Sequence, residues 1–114
     1  MAMTALTVQP LASHSLEPVY TAANADGHKF YNDGHTLLHV KNTNAAPVTV
    51  TIATPGTVDG LAIADWTVSV DATTGDTMIG LLPPAVYNQT GTDAGMVYVT
   101  FSAVTNVTVA AVQL

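Results

Sequence analysis

The sequence predicts an all-β fold, an antiparallel β-sandwich of jelly-roll or immunoglobulin-like type with about seven or eight strands. Three observations carry that expectation. Apolar and hydroxylated residues alternate with period two, turn-forming residues separate the alternating runs, and no stretch shows an apolar period of 3.6. Val and Thr are both abundant, and their branching at Cβ favours the pleated strand over the helix.

Each element follows from its own residues. Leu6 to Val8 and Pro18 to Tyr20 are short extended candidates, and Thr36 to Lys41 is a longer one. In Pro47 to Thr54, Val48, Val50 and Ile52 point to one side, and Thr49, Thr51 and Ala53 to the other. Trp66-Thr67-Val68-Ser69-Val70 repeats the pattern, with Trp66, Val68 and Val70 facing the core. Thr77 to Leu82, Met96 to Phe101 and Asn106 to Val112 complete the set. Leu61 to Ala64 allows at most one helical turn. The pairs Asp26-Gly27, Asp33-Gly34, Pro55-Gly56 and Asp59-Gly60 mark turns, as do Thr74-Gly75-Asp76 and Gly91-Thr92-Asp93. These residues tolerate positive φ or pre-form a bend.

At 114 residues the chain has room for one core, because two would each be too small to bury enough surface. Residues 1–17 are less regularly patterned and read as an N-terminal arm, with residues 18–114 as the sandwich domain.

Composition excludes several functions. The only cations are Lys29 and Lys41, set against eight acidic residues and a formal charge of −6. Two lysines cannot neutralise a phosphate backbone or bind an anionic bilayer, so neither nucleic acid nor membrane is an expected partner. No apolar run reaches the ~18 residues of a spanning helix, and Met1 to Pro10 lacks the pattern of a secretory signal. Cysteine is absent, which removes disulfide and thiolate chemistry. Charged residues make up 9% of the chain, against about 25% in an ordinary domain. A surface of Thr, Asn and Ser sheds few hydrated ions when it meets another protein, which suits an assembly subunit.

The residue types that carry chemistry do not converge. His35 and His39 lie on one face of the predicted strand with Lys41, but roughly 13 Å separates them along it, too far to share one metal ion. Ser13-His14-Ser15 places neighbours where a triad needs residues from separate elements. Five of the seven aspartates lie beside or near glycine, where turn formation accounts for them. No catalytic residue, metal ligand or cofactor is expected. Lys29 or Lys41 with Asn42 or Asn44 are the candidates for an intramolecular isopeptide bond. Full protonation of the four histidines moves the charge from −6 to −2, a change able to tune association in mild acid. The candidate contact residues are His14, Tyr31, His35, His39 and Tyr87.

Four stretches carry a family resemblance: Phe30 to Asn42, Val48 to Ala62, Trp66 to Val70, and Ile79-Gly80-Leu81-Leu82-Pro83-Pro84-Ala85-Val86-Tyr87-Asn88. Together they resemble small proteins encoded in the structural-gene region of tailed bacteriophages, near the major capsid protein. The resemblance covers most of Phe30 to Leu114 and is one of pattern, so no functional residue carries over individually. Trp66 departs from it, standing where a smaller or more polar residue is expected. The resemblance implies a decoration (cement) protein on the outer capsid surface of a virion. Its partner would be the major capsid protein, and it would act as a homo-oligomer, with a trimer favoured. The alternatives are a receptor- or carbohydrate-binding module of a virion fibre, and a head–tail connector or tail-tube subunit.

Overall fold

The row Val48, Val50 and Ile52 is buried, Thr49 between them is exposed, and Thr51 is half-buried. The same alternation builds two facing sheets in the computed structural model, which describes residues 3–10, 18–55, 57–80 and 82–113. In chain order the strands are β1 (Thr4–Ala5), β2 (Val8–Pro10), β3 (Thr21–Ala22), β4 (His28–Tyr31), β5 (Thr36–Asn42) and β6 (Val48–Ile52). There follow β7 (Thr57–Val58), β8 (Leu61–Ala62), β9 (Trp66–Val70), β10 (Gly75–Ile79), β11 (Met96–Phe101) and β12 (Val107–Gln113). A four-residue helix, α1 (Pro84–Tyr87), and a 3₁₀ turn (Gly91–Asp93) precede β11.

The first sheet has the order β1-β4-β11-β6-β9, and the second β10-β5-β12-β2, with β3 also paired to β12. The all-β sandwich is therefore present. Seven strands have four residues or more; alternation marks six of them, and β4, whose His28-Lys29-Phe30-Tyr31 run mixes charge and aromatic rings, is the one it misses. The others are two or three residues long, too short to show a period. Strands of the two main sheets pair antiparallel except at the N-terminus, where β1 runs parallel to β4 and β2 parallel to β12. The described part of the segment read as an arm thus supplies an edge to each sheet. Leu6 lies between those two strands and is buried in the core, and its N–H donates to the Lys29 carbonyl at 2.8 Å.

Between the sheets lie Phe30, Leu38, Val40, Val50, Ile52, Val97, Val99, Val107, Val109 and Ala111, none more than 1% exposed. Trp66 differs from its expected place. It sits on the core-facing side of β9 opposite Ile52, yet is 40% exposed, because β9 is the last strand of its sheet. Leu61 and Ala62 also differ, forming a strand and not a helical turn. Asp59 (φ 51°) and Gly60 (φ 80°) make the two-residue hairpin loop that joins β7 to β8. Positive φ at both positions is what a tight hairpin of the right twist demands. Gly27 meets a harder constraint: at φ 91°, a Cβ there would lie 2.5 Å from the Val99 carbonyl oxygen.

The chain crosses between sheets at both ends of β5, and a buried asparagine organises each crossing. Asn32 donates to the Leu82 carbonyl (2.9 Å) and the Asn88 side chain (2.8 Å), and its Oδ1 accepts from the Gly34 N–H. Asn42, fully buried, donates to the Ala46 carbonyl (2.9 Å) and the Asp71 carbonyl (3.1 Å) and accepts from the Asn44 N–H. Among the described residues no buried side-chain nitrogen or oxygen lacks a partner. Asn42→Ala removes three such bonds at once. It is expected to destabilise the fold by roughly 2–3 kcal/mol, read as a lower urea midpoint with an unchanged m-value.

Candidate interaction surface

The outer face of the first sheet carries a grid of hydroxyls. Ser69 on β9 lies opposite Thr49 on β6, and Thr67 lies opposite Thr51. Thr51 in turn faces Thr100 on β11, and Thr49 is bonded to Ser102 just beyond it. Five of the six are exposed and Thr51 is half-buried. This face therefore presents three strands of small, uncharged polar groups. Towards β4 the grid ends in a charged group of three. Lys29 pairs with Asp93 at 3.2 Å, and the Tyr98 hydroxyl donates to the same carboxylate.

On the second sheet the outer face is partly covered. Tyr20, just before β3, lays its ring against His39, with centroids 5.3 Å apart, and the Lys41 ammonium sits 4.3 Å above the Tyr20 ring. The His39 Nε2 bonds to the Asp76 carboxylate of β10, and Nδ1 lies 2.6 Å from the Tyr20 hydroxyl. An ionised carboxylate only accepts, so Nε2 carries a proton, and in the neutral ring Nδ1 accepts from the phenol. The Asp–His–Tyr row holds residues 18–22 against β5 and β12. His39 is accordingly 8% exposed.

A third surface lies at the end of β9. Trp66 and Tyr87 of α1 are tilted at 50° with centroids 6.3 Å apart. They line an open cleft of about 380 Å³ with Ala64, Asp65, Leu82 and Pro83.

The residues singled out from sequence are scattered over these surfaces. His14 lies outside the described residues. Tyr31 is 65% exposed at the rim of β4. His35 is exposed just before β5, its N–H donating to Asp33. His39 shares the outward side of β5 with Lys41, as its spacing indicated, but it is buried beneath Tyr20 and is no free contact. Tyr87 is half-buried against Trp66. Tyr20, Asp76, Asp93 and the hydroxyl grid were not singled out. The alternating Thr and Ser positions were a legible signal for the grid. Nothing in the sequence brings Asp76 to His39, since that pairing depends on the β5–β10 register. Among the described residues no group of three or more His, Cys, Asp or Glu is placed to hold a metal ion, and no helix is long and apolar enough to cross a membrane.

Several titratable groups are held away from their ordinary values. The bond from His39 keeps the Asp76 carboxyl low, and those from Tyr98 and then Lys29 do the same for Asp93. The His35 N–H lowers Asp33, and Asp93 raises the Tyr98 phenol. His28 is buried in the first sheet, where its Nε2 accepts from the Asn24 N–H (3.0 Å) and its Nδ1–H donates to the Thr4 carbonyl (3.1 Å). Burial lowers its pKa, only partly opposed by the bond to Thr4.

No protein-family model matches the chain, and no curated protein or solved structure matches it.

These bonds set the pH dependence of stability. Because the folded pKa of His28 lies below its ordinary 6.5, its contribution is complete above that pH and is lost as pH falls through the interval below it. Asp33, Asp76 and Asp93 contribute above their ordinary 3.8 and lose that contribution as pH falls further. Urea midpoints are thus expected to be level from pH 8 to 7 and to decline near pH 6, with the decline absent in His28→Gln. A midpoint constant down to pH 5 would contradict this assignment. Separately, Tyr20→Phe leaves the His39 Nδ1 without its donor and is expected to cost about 1 kcal/mol. Faster amide exchange at Thr21 and Ala22 would accompany it.

Proposed function

We propose that this chain is a virion structural protein that decorates and stabilises a tailed-phage capsid from outside. It binds the major capsid protein and acts as a homo-oligomer, with a trimer preferred. The observation that carries the reading is the Ser/Thr grid on β6, β9 and β11. A face of hydroxyls surrenders little ionic hydration on contact, and its short side chains lose little conformational freedom when they are fixed. Such a face suits permanent attachment to another protein surface. The sandwich behind it has a largely aliphatic core and satisfied amides at the β5 crossings. The net charge of −6 also disfavours adhesion to packaged nucleic acid. The pattern resemblance to small phage structural proteins supplies the shell as the partner.

Sedimentation and solution mass, with and without purified capsids, test the proposal. A trimer that co-sediments with shells is expected, and the exposed-site variants Thr67→Glu and Thr100→Glu, each made singly, should abolish co-sedimentation while leaving the urea midpoint nearly unchanged. Hexameric rings would assign the chain to a connector or tube, and a monomer inert towards shells would refute the reading.

A further inference from the structure

The edges of the two sheets are unequally guarded. β1 and β3 are two residues long, β2 ends in Pro10, and β10 carries Asp76. Short length, proline and charge are the devices that keep a sheet edge from pairing with another chain. β9 has none of them. Trp66-Thr67-Val68-Ser69-Val70 is uncharged, free of proline and regularly alternating, and no strand among the described residues lies on its outer side.

The backbone groups left open on β9 can be identified. The Ser102 N–H donates to the Thr49 carbonyl (2.9 Å) and the Ala53 N–H to the Tyr98 carbonyl (3.0 Å), so these residues turn their backbone groups towards β11. Antiparallel alternation then directs Val48, Val50 and Ile52 towards β9, where they meet Val70, Val68 and Trp66. The N–H and C=O groups of Thr67 and Ser69 are left pointing outward. The Trp66–Tyr87 cleft opens at the start of this same edge.

Charge selects the occupant. The exposed Asp65 and Asp71 bracket β9. A second copy of the chain would add its own −6, and with Val68 facing Val68 it would set Asp71 opposite Asp65. Like charges directly opposed weaken a strand pair. A basic segment meets the bracketing aspartates with opposite charge.

We propose that the outer edge of β9 docks an extended segment of a partner protein, uncharged in its middle and basic at its ends. The segment hydrogen-bonds to Thr67 and Ser69 and seats an apolar side chain in the Trp66–Tyr87 cleft. Main-chain bonds provide the affinity of such strand addition, and the pocket its selectivity. The partner need not be a capsid protein.

The test uses the full chain, uniformly ¹⁵N-labelled, and the peptide acetyl-Lys-Leu-Thr-Val-Thr-Val-Lys-amide. At saturating peptide the amide exchange of Thr67 and Ser69 is expected to slow by about tenfold or more, and the fluorescence of Trp66, the single tryptophan, to shift. Ser69→Pro removes an outward N–H without touching the β6 ladder and is expected to abolish both effects. Should that variant fail to fold, the unaltered protein with a peptide N-methylated at its central residues decides the point, with no binding expected. Unchanged exchange at Thr67 and Ser69 overturns the proposal. So does equal binding of the N-methylated peptide, or of one with Glu in place of Lys. Protection that rises with protein concentration alone assigns the edge to a second copy and also overturns it. A Trp66 shift produced by a soluble glucan oligomer and not by the peptide assigns the cleft to carbohydrate, and the proposal fails there too.

Discussion

Two buried amides decide where this chain leaves one sheet for the other. Asn42 stands at the end of β5 in the second sheet, yet its donors reach carbonyls of Ala46, which leads into β6, and Asp71, which follows β9. Asn32 does the same at the other end, tying the β4–β5 crossing to the segment before β11 through Leu82 and Asn88. An aliphatic core fixes the distance between sheets but not their relative slide. Directional bonds at both ends of one central strand supply that restraint. Neutral amides suit the task in a chain with two cations, since a buried carboxylate here would find few partners.

The same scarcity shapes the electrostatics. Both lysines are engaged, Lys29 with Asp93 and Lys41 over the Tyr20 ring. The two buried histidines have divergent roles. His28 works inside the first sheet as a neutral link between the N-terminal segment and the turn before β4. His39 works on the outside of the second sheet, where Asp76 and Tyr20 occupy its two nitrogens. Holding each ring in one tautomer makes both histidines structural elements of the neutral-pH fold.

The two outer faces consequently differ in kind. The Tyr20 ring covers part of the second sheet. The first sheet keeps its hydroxyl grid open, and that grid runs without a break onto the unguarded edge of β9. A partner placed there would extend a sheet of hydroxyls and valines. The proposed structural role and the proposed docking edge thus draw on one contiguous region, although they rest on different observations, the side chains of the face and the backbone of the edge.

The sequence by itself determined six of the seven strands of four residues or more, the inward rows such as Val48, Val50 and Ile52, the turn at Asp59–Gly60 and the poverty of charge. These are local properties: side-chain alternation follows from the pleat, and turn residues act within four positions. Tertiary structure alone decided that β9 is an edge, so that Trp66 faces the core side and still meets solvent. It alone brought Asp76 beside His39 and Tyr20 above it, turning an apparently surface histidine into a buried one. Period-two alternation tells which side of a strand a residue takes, but not which strands flank it. Neighbours 37 residues apart, such as His39 and Asp76, are set by strand order and register, which the burial of the whole core selects.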